Sequence, residues 1–64
     1  MLQNEWGELA LVSARIEALN KRREAVDKIG NAARVRELAL EISVAQTQRN
    51  RLVETIMAHL VEAA

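Results

Sequence analysis

Ile29-Gly30-Asn31 is the one turn signal between two segments that carry the period of a helix. Gly30 has no Cβ, so it can adopt the positive φ that ends a helix. Asn31 can cap a following helix by accepting a backbone N–H with its side chain. Lys21, Arg22, Arg23 and Lys28 lead up to this stop, and cations suit the negative end of a helix dipole. Upstream, Asn4 is the expected N-cap of a first helix, with Glu5 and Glu8 in its opening turn and Gly7 tolerated there. The reading is a first helix over about residues 5–29, a turn at 30–31 and a second helix over about residues 32–62.

Periodicity supports both helices. Leu2, Leu9, Val12, Ile16, Leu19 and Val26 recur at steps of three and four, with Arg23 interrupting. Val35, Leu38, Ile42, Ala45, Leu52 and Ile56 do the same, with Arg49 interrupting. These are the a and d positions of a heptad seam. So short a turn makes the two helices antiparallel neighbours. Folding about Gly30-Asn31 pairs residues whose numbers sum to about 61: Val26 with Val35, Leu19 with Ile42, Ile16 with Ala45, Leu9 with Leu52. The expected fold class is therefore all-α, an antiparallel helical hairpin forming a single domain over residues 1–64. Its expected core is Leu9, Val12, Ile16, Leu19, Val26, Val35, Leu38, Ile42, Ala45, Leu52 and Ile56. The alternative is one continuous helix of about 60 residues, near 90 Å long, in which Gly30 would cost about 1 kcal/mol.

Composition narrows the class. The chain has 64 residues, no cysteine, no proline, two glycines and a single aromatic, Trp6. A disulfide scaffold and a cysteine zinc site are excluded. Half of the residues are apolar, too many for a disordered chain. Domains of about 60 residues bury a smaller share of their surface than larger ones, so self-association is expected on size alone. Met1-Leu2-Gln3-Asn4-Glu5-Trp6 has neither the basic nor the apolar region of a secretory signal. The longest unbroken apolar run is Leu9 to Val12, far short of the roughly 20 residues that span a bilayer. A cytoplasmic location without membrane contact is expected, and lack of cysteine fits a reducing compartment.

A hairpin alone does not use up the apolar surface. Leu11, Ala14, Ala18, Ala25 and Ile29 make a second line on the first helix. Leu40 and Val44 lie off the seam of the second. Leu52, Val53, Ile56, Met57, Leu60 and Val61 form a stripe wider than one helix covers, even with Trp6 and Leu2 over part of it. Monomers rarely expose large contiguous apolar patches. The expected resolution is a homodimer of hairpins, a four-helix bundle, or else a partner protein. The expected association surface is Leu11, Leu40, Val44, Val53, Met57, Leu60 and Val61.

Two arginines stand on the seam. Arg23 and Arg49 either lay their stems along it with the guanidinium in water or pair with glutamates to set register. Glu37 and Glu41 are within reach of Arg23 in the hairpin register. Charge sums to zero but is uneven. Residues 1–20 carry Glu5, Glu8 and Glu17 against Arg15, net −2. Residues 21–36 carry Lys21, Arg22, Arg23, Lys28, Arg34 and Arg36 against Glu24 and Asp27, net +4. Residues 37–64 carry Glu37, Glu41, Glu54 and Glu62 against Arg49 and Arg51, net −2. The turn end is thus basic and the open end acidic. Lys21, Arg22, Lys28, Arg34 and Arg36 are candidate phosphate contacts, although no aromatic near the turn offers a base-stacking platform.

Enzyme chemistry lacks its parts, and no enzyme, cofactor or small-molecule substrate is expected. His59 is the only histidine; Ser13 and Ser43 lie within helices without a nearby base, which nucleophilic catalysis requires. No glycine-rich loop could cradle a phosphate. His59 and Glu62 could supply two metal ligands, fewer than a site needs.

With its two helices joined at Gly30-Asn31, the chain looks like two kinds of small helical-hairpin protein. One is the Rop-type RNA-binding dimer; the other is the short co-chaperone subunit of type III secretion systems. Small phage or mobile-element proteins that inhibit a host protein share this size and helicity. These likenesses operate at the level of the fold. The functional reading is a protein–protein interaction module of adaptor, co-chaperone or inhibitor type acting through its apolar helical surface. The likenesses imply as alternatives a Rop-like nucleic-acid-binding regulatory dimer using the basic turn end and a phage or mobile-element inhibitor of a host protein.

Overall fold

The computed structural model describes residues 3–63. It contains two helices, α1 (Gln3–Ile29) and α2 (Ala32–Ala63), packed against each other as a hairpin. No strand occurs among the described residues. The molecule measures 50 × 14 × 13 Å, so the continuous helix of about 90 Å is excluded.

The turn is held by backbone chemistry at two residues. Gly30 has φ +87°, a conformation that costs other L-residues about 1–2 kcal/mol. Its N–H is shared between the carbonyls of Val26 (3.2 Å) and Asp27 (3.0 Å), which satisfies acceptors left open at the end of α1. Asn31 then starts α2: its Oδ1 accepts from the Arg34 N–H at 3.1 Å, and its carbonyl accepts from the Val35 N–H at 3.1 Å. That is an N-cap satisfying a donor that would otherwise have no partner.

The other end of α1 corrects an expectation. Asn4 lies inside the first turn, because the helix already includes Gln3. A cap residue has non-helical backbone angles, so Asn4 does not cap α1. The physical reason is that nothing before it breaks a helix; Gln3 is a good helix former. Leu2, expected on the seam and over part of the C-terminal stripe, lies outside the described residues.

The core is a single seam. Val12, Ile16, Leu19, Leu38, Ile42, Ala45 and Ile56 are buried, and Leu38 is completely enclosed. Leu9, Val26, Val35 and Leu52, also expected there, are half-buried. Val12, Ile16 and Ala45 form one cluster with Leu52 packed on it; Leu19, Leu38 and Ile42 form another with Val26. Each large aliphatic side chain buried in this way contributes about 1.5–3 kcal/mol. No second layer covers the hairpin. Its radius of gyration is 15.0 Å, against about 11 Å for a compact chain of this length.

Candidate interaction surface

Seen from the seam outward, the surface carries a set of large apolar side chains among its charged ones. Leu11, Leu40, Val44, Val53, Met57, Leu60 and Val61 are all exposed, from 37% for Val53 to 74% for Val61. Ile29, at the turn, and Trp6, near the open end, are exposed as well. Trp6 retains half of its surface in solvent and so leaves the C-terminal stripe of α2 open. α2 also runs past the described start of α1: Gln3 is level with about residue 58 in the hairpin register, while α2 continues to Ala63.

The repeat divides the rest of the hairpin into two unlike flanks. On one side of the seam stand Trp6, Ser13, Asn20 and Asp27 of α1, each following a d position, beside Ala32, Ala39, Gln46, Val53 and Leu60 of α2. This row holds a single charge, Asp27. Met57 lies one row farther out on the same side. On the other side, preceding the a positions, stand Glu8, Arg15, Arg22 and Ile29 beside Arg34, Glu41, Gln48, Thr55 and Glu62. Two grooves mark this division. Asp27 and Ala39 line one with Arg23, Glu24 and Val35. Arg15, Glu41 and Gln48 line the other with Leu40, Val44 and Ala45. No single position displays this asymmetry between a neutral and a charged flank; it lies in the places that residues of both helices take beside the seam.

Polar side chains mostly look after their own helix. Thr47 donates to the Ser43 carbonyl (3.1 Å), Thr55 to the Arg51 carbonyl (2.9 Å), and His59 Nδ1–H to the Thr55 carbonyl (2.9 Å). Lys21 pairs with Glu17 at 3.7 Å and Arg34 with Glu37 at 2.8 Å, so two of the five candidate phosphate contacts already hold a carboxylate. Lys21, Arg22, Lys28 and Arg36 are exposed and Arg34 half-buried. The pairing considered between Arg23 and Glu37 or Glu41 does not form: Glu37 is taken by its closer neighbour Arg34 on the same helix, and Glu41 lines the groove of the flank opposite Arg23. Arg23 is exposed over the neutral-flank groove, and Arg49 is half-buried on the seam; neither is in an ion pair among the described residues.

Glu5 is the unusual side chain. It occupies a d position near the open end, level with Ile56. Its Oε2 atom is buried and has no hydrogen-bond partner among the described residues. Leaving a buried acceptor unpaired carries a desolvation penalty of about 1–3 kcal/mol, more for a charged group. Sequence reasoning placed Glu5 only in the opening turn of the first helix; its seam position was the available signal.

Among the described residues no three histidine or carboxylate side chains gather to hold a metal ion. No helix there is long and apolar enough to cross a membrane. No family model matches the chain, and no curated protein or solved structure is significantly similar to it.

Proposed function

We propose that this chain works by binding alone. It is a non-enzymatic protein–protein interaction module that assembles as a dimer of hairpins, a four-helix bundle, and offers its remaining apolar surface to another protein. The observation carrying this reading is the exposed apolar surface of a hairpin without a second layer: Leu11, Leu40, Val44, Met57, Leu60 and Val61 are each more than half exposed. Isolated apolar side chains on a surface are ordinary; a broad stripe along one helix marks an interaction site. Adaptor, co-chaperone and inhibitor roles all use such a surface, and the chemistry is common to them.

The test combines self-association with capture. Sedimentation over a concentration series reads the first; retention of a protein from the native cell by the wild-type chain, and its loss with a Leu40→Glu/Val44→Glu variant, reads the second. Retention that persists as salt rises fits an apolar contact, whereas phosphate binding weakens steeply. A chain that neither associates nor retains a protein overturns the reading.

A further inference from the structure

Resting on the interaction reading above, we propose that a second copy of this chain occupies the neutral flank. The two hairpins lie antiparallel, the turn of each beside the open end of the other, and Arg23 of each copy pairs with the partner's Glu5.

The area matches such an occupant. A compact protein of 7.2 kDa exposes about 4100 Å², whereas this chain exposes 5036 Å². The surplus, about 900 Å², is close to the roughly 800 Å² that each partner gives up in a stable interface. Of the two flanks, the neutral one is suited to burial. Its nine-residue row contains one charge, while the opposite row contains Glu8, Arg15, Arg22, Arg34, Glu41 and Glu62, and charged residues are depleted from the centres of interfaces.

Charge and size then select the orientation. The turn end, residues 21–40, carries net +3, and the open end, residues 1–9 with 52–64, carries Glu5, Glu8, Glu54 and Glu62 against no lysine or arginine, net −4. Parallel hairpins would set basic tip against basic tip. Antiparallel hairpins set each basic tip against an acidic end. Side-chain size follows the same order: the flank is built of Ala32 and Ala39 toward the turn and of Trp6, Val53 and Leu60 toward the open end. With a twofold axis at the level of Gln46, Ala39 faces the partner's Val53, and Ala32 faces the partner's Leu60. Large residues thus meet the groove that the alanines leave, the condition for interdigitated packing.

The same axis resolves both anomalies of the seam. It superposes α1 on the partner's α1, with the level of residue 15 as centre. Arg23 and the partner's Glu5 then lie within about 3 Å along the bundle axis, at 1.5 Å per residue. Arg23 lines the groove of this flank with Glu24 and Asp27 yet is in no ion pair among the described residues, and the Glu5 carboxylate has a buried oxygen without a donor among them. Each supplies what the other lacks, twice per dimer.

The chain has no cysteine, so a single introduced thiol reports position without interference. Gln46→Cys, beside the twofold axis, is expected to form a disulfide-linked dimer under mild oxidation; Gln48→Cys, on the charged flank, is expected to remain monomeric on denaturing gels. Glu5→Arg and Arg23→Glu are each expected to weaken dimerisation by about tenfold or more, and the double exchange to return it to within about threefold of wild type. Cross-linking at position 48 instead of 46 overturns the chosen flank and orientation. A double exchange no better than the weaker single variant overturns the ion pair. A wild-type chain that stays monomeric at high concentration overturns the dimer, yet leaves binding to a different protein standing, since retention by the Leu40 and Val44 face is read separately.

Discussion

The Asn31 Oδ1 atom accepts the Arg34 backbone N–H at 3.1 Å, one residue after Gly30 closes α1 at φ +87°. Stop and start are therefore adjacent, and each has its own testable cost. Asn31→Ala removes the cap and is expected to lose about 1 kcal/mol, a fall in melting temperature of roughly 4–8 °C. Gly30→Ala meets no steric obstacle, since nothing lies within 4 Å of the added Cβ. Its expected loss of about 1–2 kcal/mol is conformational alone, and Gly30→Asn should lose less because asparagine tolerates this backbone region. Thermal melts followed by circular dichroism measure all three. An Asn31→Ala protein that melts with wild type contradicts the capping role.

A charge placed on the seam has a different consequence from one placed beside it. Ile16 and Ile42 are buried, whereas Leu11 is 73% exposed. Ile16→Asp or Ile42→Asp buries a carboxylate without a partner, which costs several kcal/mol, comparable with the whole stability of a domain this small. Both variants are expected to unfold at room temperature. Leu11→Asp is expected to keep its helix content. Urea titration at matched concentration separates the cases, and seam variants with wild-type midpoints would show the register to be wrong.

The hairpin was legible because its signals are local or periodic. Gly30 and Asn31 act through their own backbone and nearest turn, and the seven buried residues lie on a seam with steps of three and four, on which half-buried Arg49 and Leu52 fill the interval between Ala45 and Ile56. What stayed hidden depends on relations that single positions do not display. Asn4 has the chemistry of a cap, but the helix already includes Gln3, two residues before the start at Glu5 that such a cap requires. Glu37 can reach Arg23 in the hairpin register, yet Arg34 on the same helix is closer and wins. The neutral flank emerges only when α1 and α2 are read together, because Ser13 or Gln46 alone carries no sign of being next to a seam. Glu5 reads as an ordinary first-turn acid until the folded hairpin shows one of its oxygens buried.

The basic turn gives a further expectation. Lys21 and Arg34 already hold Glu17 and Glu37, and the only aromatic, Trp6, stands toward the opposite end of the hairpin. Stacking platforms are what add affinity to phosphate contacts in single-strand binders. Oligonucleotide retention is therefore expected to be weak at low salt and lost by about 200 mM, as for non-specific phosphate binding. Fluorescence anisotropy with a labelled RNA across a salt series checks this. Tight binding that survives 200 mM salt and falls with Lys28→Glu or Arg36→Glu would favour the nucleic-acid reading over the protein one.

Association can be assigned to one face by comparing two pairs of substitutions. Met57 and Leu60 stand on the neutral flank of α2 near its open end and are 59% and 52% exposed. Leu40 and Val44 are as exposed or more so but border the groove of the charged flank. Neither pair belongs to the hairpin core, so helix content should survive in both variants. Burying a large aliphatic side chain contributes about 1.5–3 kcal/mol, and each 1.4 kcal/mol is about tenfold in affinity. Met57→Glu/Leu60→Glu is accordingly expected to raise the dimer dissociation constant by about a hundredfold or more, while Leu40→Glu/Val44→Glu leaves it within about threefold. Methionine repacks easily through its unbranched thioether, so Met57→Leu should be nearly neutral and serves as the control. Sedimentation equilibrium reads every dissociation constant, and circular dichroism reports helix content in the same samples. Equal weakening by the two glutamate pairs would move the interface to the outer face of α2, where Leu40, Val44, Met57 and Val61 would act together, and would leave the neutral flank without its occupant.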